Sequence, residues 1–157
     1  MTGTLLVTGG TGEAGTELAA FDGALRDAGI ANYNLIRLSS VIPAGSTVLE
    51  KRPDLPSNEW GWRLYVVLAE QRASRSGEQA WAGIGWIQDP DDGRGLFVEH
   101  EGGSDEQVVD QIEASLACMR ASRDDTFGPT QMTTRGVRCT GTPVGAVVAA
   151  VYASVPW

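Results

Sequence analysis

A chain of 157 residues with 42% hydrophobic and 20% charged side chains can bury one core and is too apolar for disorder. Its net charge of −8 argues against capture of nucleic acid or an anionic membrane surface, since both would repel it. The same field suits a cationic ligand, although acidic composition is also an ordinary solubility device.

The N-terminus carries neither the basic region nor the long apolar stretch of a signal peptide, so the cytoplasm is the expected compartment. Thr4–Thr8 reads as a short apolar strand and Gly9–Gly15 as a glycine-rich turn. Thr16 or Glu17 then opens a helix that stacks Leu18, Phe21, Leu25 and Ala28 on one face, with Gly29 as its C-cap. Tyr33–Ser39 is the next strand, alternating Tyr33, Leu35 and Arg37 with Asn34, Ile36 and Leu38. Residues 43–60 hold Pro43, Gly45, Pro53 and Pro56 and read as an irregular connection.

Strands are expected at Trp62–Glu70, Ala80–Ile87 and Gly95–Glu101, separated by polar turns at Ser74–Glu78 and Asp89–Gly93. Ser104 starts a second helix, with Gln107 at the capping-box position and Val108, Ile112, Leu116 and Met119 along its apolar face. Two last strands, Met132–Thr140 and Val144–Tyr152, are joined by Gly141-Thr142-Pro143. The apolar run from Val144 to Val155 is too short to span a bilayer as a helix. Cys118 on the second helix and Cys139 on a strand are expected as buried free thiols, with no CxxC pair between them. Strand, helix, several strands, helix, two strands is the order of a single α+β domain in layers, not of a doubly wound sheet.

Gly10-Thr11-Gly12-Glu13-Ala14-Gly15 matches the G-x-G-x-x-G pattern, after a strand and before a helix. A dinucleotide site also wants an acidic residue about 20 positions on to hold the ribose. None stands between Asp27 and Glu50, and Glu13 would turn a negative charge toward a phosphate. The glycines read first as a turn, with a nucleotide-binding module as the alternative function.

Ser39-Ser40 stands where an apolar strand runs straight into a Pro/Gly-rich stretch. That puts a serine hydroxyl beside its own preceding carbonyl, the setting for a chain that cuts itself. Glu99 ends the apolar segment Gly95-Leu96-Phe97-Val98, and reads either as a solvated strand end or as a partly desolvated general acid. Asp22, within the first helix, is either solvent-facing or a carboxylate for a cationic substrate group. Asn34 is a satisfied sheet residue or a donor to a reacting carbonyl. The lone histidine, His100, falls on the face opposite Glu99 and Glu101 and reads as a strand-surface residue. One histidine and two scattered cysteines make no ligand set, so no metal is expected.

The segments Ala20-Phe21-Asp22-Gly23-Ala24-Leu25, Ala28-Gly29-Ile30, Asn34 to Pro43 and Gly95 to Gly102 together resemble the pyruvoyl-dependent arginine decarboxylases. The resemblance implies a four-layer α/β/β/α sandwich of the pyruvoyl-dependent arginine/histidine decarboxylase type. It also implies cleavage between Ser39 and Ser40, into residues 1–39 and 40–157 of one domain. The Ser40 hydroxyl would attack the Ser39 carbonyl to form an ester. β-Elimination would leave dehydroalanine, which tautomerises and loses ammonia to give a covalent pyruvoyl group.

In that family the pyruvoyl ketone forms a Schiff base with the substrate amine and takes up electrons as carbon dioxide leaves. By position, Glu99 resembles the proton donor, Asn34 the active-site asparagine, and Asp22 the aspartate that meets the guanidinium. The implied reaction turns L-arginine into agmatine and carbon dioxide; histidine, lysine or ornithine is the alternative substrate. Trimers or pairs of trimers are implied, with active sites between subunits, an arrangement that allows Glu99 to serve a neighbour's pyruvoyl group. Two positions depart from the family's pattern: Ala44 where a second proline is frequent, and His100 where tyrosine is.

Overall fold

The computed structural model describes residues 3–157. In chain order the elements are β1 (Gly3–Glu13), α1 (Glu17–Ala28), β2 (Asn34–Arg37), β3 (Val41–Ile42), β4 (Ser46–Glu50) and β5 (Arg63–Ala73). They continue with β6 (Gln79–Gln88), β7 (Gly95–Gly102), α2 (Asp105–Ala121), β8 (Gln131–Arg138) and β9 (Val144–Val155). One sheet has the order β2-β5-β9-β1-β4 and the other β3-β7-β6-β8.

The layering follows from where apolar side chains go. In β9 every residue from Val144 to Val151 is buried, because both faces of the strand are covered. Val144, Ala146, Val148 and Ala150 face the second sheet, where they meet Ala82, Ile84 and Phe97. Val147, Ala149 and Val151 face α1, with Leu64, Val66 and Leu68 of β5 beside them. On the far side, Val108, Ile112 and Leu116 of α2 pack on Ile87, Leu96 and Val98. The four layers are α1, the five-stranded sheet, the four-stranded sheet and α2, as the α/β/β/α expectation required. Among the described residues no helix is long and apolar enough to cross a membrane.

The helix caps follow local chemistry. Thr16 accepts the Ala19 N–H at 3.1 Å, and Gly29 closes α1 at φ +82. Ser104 accepts the Gln107 N–H at 3.1 Å, while the Gln107 side chain accepts from Gly103 N at 3.0 Å, one residue earlier than a capping box would have it.

Four expectations are corrected. Gly9–Gly15 is not a turn: β1 runs on to Glu13, pairing Gly9 with Val148, Gly10 with Val147 and Gly12 with Gly145. A Cβ on Gly10 would lie 2.4 Å from the Ala24 carbonyl oxygen, and one on Gly12 2.2 Å from that of Ala20. These glycines let α1 lie directly on the strand, and no glycine loop remains to cradle a phosphate. The nucleotide-binding alternative loses its basis.

For the same reason the buried face of α1 is Ala20, Ala24, Leu25 and Ala28, and Leu18 is 67% exposed. Small residues win that face because the strand beneath is made of glycine. Gly12→Ala should therefore force the helix off the sheet and cost about 1–3 kcal/mol. A thermal melt should show it as a fall of several degrees; an unchanged midpoint would mean that α1 can lift freely.

Residues 43–60 are not wholly irregular, since Ser46–Glu50 forms β4 and pairs in parallel with β1 from Gly3↔Ser46 to Val7↔Glu50. Its side chains are mostly exposed at a sheet edge, so the apolar signal is weak. Cys118 is exposed on α2, whereas Cys139 is buried just past β8; both are free thiols.

Candidate active site

Ser39 and Ser40 occupy the strap between the two sheets. β2 lies at the edge of the first sheet, parallel to β5 with Arg37 opposite Val66, and the Leu38 N–H extends the pairing to the Val66 carbonyl. The chain then leaves that sheet and joins the other, where Val41 and Ile42 pair with Leu96 and Gly95. Crossing between layers in so few residues demands an unusual backbone, and Ser40 takes it with φ +73. Left-handed backbone costs a residue with a Cβ roughly 1–2 kcal/mol. The Ser40 carbonyl is pinned by the Phe97 N–H at 2.9 Å.

Glu99 is brought to this strap by strand alternation in β7. Phe97 points into the core between the sheets and Val98 toward α2. Glu99 therefore shares the face of Phe97, two residues nearer the open end. There its Oε2 accepts the Ser40 hydroxyl at 2.8 Å within a single chain. His100 takes the α2 side, as alternation requires, and its Nε2 meets the Ser115 hydroxyl at 2.7 Å.

A cleft of about 330 Å³ opens over these groups, lined by Ser39, Ser40, Phe97, Val98, Glu99, His100, Ser115 and Met119. Beside it, the Tyr152 hydroxyl donates to the Val41 carbonyl at 2.7 Å. Burial, and then the nearby Glu99 charge, push the Tyr152 phenol above its ordinary pKa, so it stays a donor.

Asn34 and Asp22 are not part of this cluster in one chain. The Asn34 side chain donates to the Gly61 carbonyl at 2.7 Å, at the far end of β2. Asp22 sits on the exposed side of α1, 3.5 Å from Arg26, in a separate cleft with Leu18 and Phe21.

Two residues of the site escaped the sequence reading. Ser115 lies three residues after Ile112 and four before Met119, so helical spacing could have placed it on the packed face of α2. Tyr152 is the first large side chain after the small apolar run of β9, but nothing local says what its hydroxyl reaches.

The arrangement supplies a strained peptide, a hydroxyl beside a carboxylate, and donors on two successive carbonyls. An α-keto acyl group in place of Ser40 would keep the Phe97 N–H on its amide carbonyl and would stand next to Glu99. The residues present therefore fit a group made from Ser40 itself.

The family model described as pyruvoyl-dependent arginine decarboxylase matches residues 4–155. The pyruvoyl-dependent arginine decarboxylase of Halobacterium salinarum is 40% identical over 148 residues, covering 91% of this chain and 89% of its own. That of Thermoplasma volcanium is 34% identical over 128 residues, covering 80% of this chain and 69% of its own. A solved pyruvoyl-dependent histidine decarboxylase overlaps 68% of this chain and 55% of its own, with a TM-score of 0.45 and 16% identity.

Proposed function

This chain belongs to the pyruvoyl-dependent arginine decarboxylase family, and we propose from that membership that it cleaves itself between Ser39 and Ser40 and decarboxylates L-arginine to agmatine. Family membership implies a covalently bound pyruvoyl group, here assigned to position 40. The observation that carries the assignment is the Ser40 hydroxyl 2.8 Å from Glu99 on a left-handed backbone. When formed, the group supplies a ketone that captures the substrate amine and accepts the electron pair released with carbon dioxide.

The chain's own residues do the rest. The strap holds the Ser39–Ser40 peptide strained, and the Ser40 hydroxyl is the nucleophile toward the Ser39 carbonyl. Cutting there would leave β1 and β2 on the small fragment, still hydrogen-bonded to β4, β9 and β5 of the large one. Glu99 holds the proton for the carbon that loses its carboxylate. Its bond to Ser40 of the same chain supports the assignment of this carboxylate to its own site, not a neighbour's.

Asp22 is the carboxylate for the guanidinium, and Asn34 the donor near the cleaved bond. In one chain Asn34 is bonded to the Gly61 carbonyl and Asp22 lies in a separate cleft, which supports a trimer, or a pair of trimers, with sites completed by neighbouring subunits. Unpaired Cys118 and Cys139 accord with a reducing compartment, and the cytoplasm is the proposed location.

Denaturing mass spectrometry of the purified protein should show two fragments, 1–39 and 40–157, the larger blocked at its N-terminus. Labelled carbon dioxide should be released from arginine in preference to lysine, ornithine and histidine. A single full-length mass would remove the processing step, and preference for histidine would reassign the substrate.

A further inference from the structure

The tie from Tyr152 to Val41 joins residues 111 positions apart and spans the two sheets. It is made where β9 is irregular. The pairing with β5 slips so that Tyr65 faces Ala153 while Val66 faces Val151, leaving Tyr152 as the extra residue of a β-bulge. Tyr152 keeps the inward face of Val148 and Ala150, so its ring points between the two sheets at the bulge. The ring meets Phe97 edge-on, with centroids 6.1 Å apart and planes at 66°. Phe97 is the residue whose N–H holds the Ser40 carbonyl. Two successive carbonyls, of Ser40 and Val41, are thus held by donors from opposite sheets.

Past these two bonds the first firm anchor is Ile42, which is 1% exposed and paired with Gly95, two residues beyond position 40. The Val41 residue is 59% exposed, so side-chain packing does not immobilise it. β3 consists of Val41 and Ile42 alone. While the chain is whole, Ser39 restrains position 40 from the other side. Once the Ser39–Ser40 bond is cut, position 40 is a chain end, and the restraint from Ser39 is gone.

We propose that Tyr152 is a positioning residue that, by gripping the Val41 carbonyl, keeps the processed end at position 40 aligned with Glu99. The inference rests on the reading of Ser40 and Glu99 given above. Its weight falls on turnover more than on cleavage, because the covalent restraint disappears only after processing. Burial and the Glu99 charge hold the phenol in its protonated, donating form.

Tyr152→Phe removes the donor and keeps the ring against Phe97. In the full-length protein, carbonyl content is first counted with phenylhydrazine, and arginine turnover is expressed per trapped carbonyl. That kcat should fall roughly tenfold, with KM within about twofold of the parent, since misalignment acts on the reacting atoms and not on remote binding. A role in stability alone would lower the melting temperature and the carbonyl yield while leaving kcat per carbonyl unchanged. That result, or parental behaviour throughout, overturns the inference and leaves the Ser40 reading intact. A parent protein with no trappable carbonyl overturns the Ser40 reading and this inference with it.

Discussion

Ser40→Ala should give a folded protein that stays one chain, traps no carbonyl reagent and releases no carbon dioxide from arginine. In the proposed cleavage the Ser40 hydroxyl attacks the Ser39 carbonyl and displaces the Ser40 nitrogen, and its oxygen then departs with the Ser39 carboxylate in the β-elimination. Alanine offers neither. Folding should survive, because alanine meets the same left-handed backbone with the same Cβ and loses only the hydrogen bond to Glu99. Glycine at this position is a useful contrast. Ser40→Gly would also be inactive, yet it should be more stable than Ser40→Ala by about 1 kcal/mol, since glycine adopts φ near +73 without steric cost. Cleavage after residue 39 in either variant would show that the Ser40 side chain is not the nucleophile.

Glu99→Gln should separate the making of the site from its use. The glutamine carbonyl oxygen can still accept the Ser40 hydroxyl, so the strap stays ordered and cleavage stays largely intact. What the amide cannot do is exchange a proton with carbon. Turnover of arginine should therefore fall on the order of 10²–10⁴-fold, the usual worth of a positioned general acid. Measuring carbonyl content and turnover on the same sample reads both halves at once. Full turnover at normal carbonyl content would remove Glu99 from the proton-donor role, and loss of cleavage would make it a participant in processing as well.

The rest of the site had different degrees of visibility in the sequence. Ser39-Ser40 and Glu99 stood out because each ends an apolar run beside prolines or glycines, a one-dimensional signal. Tyr152 did not, because a tyrosine after a valine and alanine run is an ordinary strand residue until the stacking of the two sheets brings its hydroxyl to the Val41 carbonyl. The glycines at positions 10 and 12 were visible but misread. Their spacing copies a phosphate loop, while their purpose is the close seat of α1 on β1. Leu18 was assigned to the wrong face for the same reason, since periodicity finds the largest side chains and this interface is built from the smallest.

Local chemistry in the sequence settled the order of the longer elements, both helix starts, the layered α+β class and the segments that mark the family. Those properties depend on side-chain period, capping and turn residues acting within a few positions of one another. Only the tertiary structure decided that Ser40 meets Glu99 across 59 positions, that Tyr152 reaches Val41, and that Asn34 and Asp22 face away from both within one chain. Such meetings are set by strand order, register and the stacking of two sheets, which depend on every element packing at once.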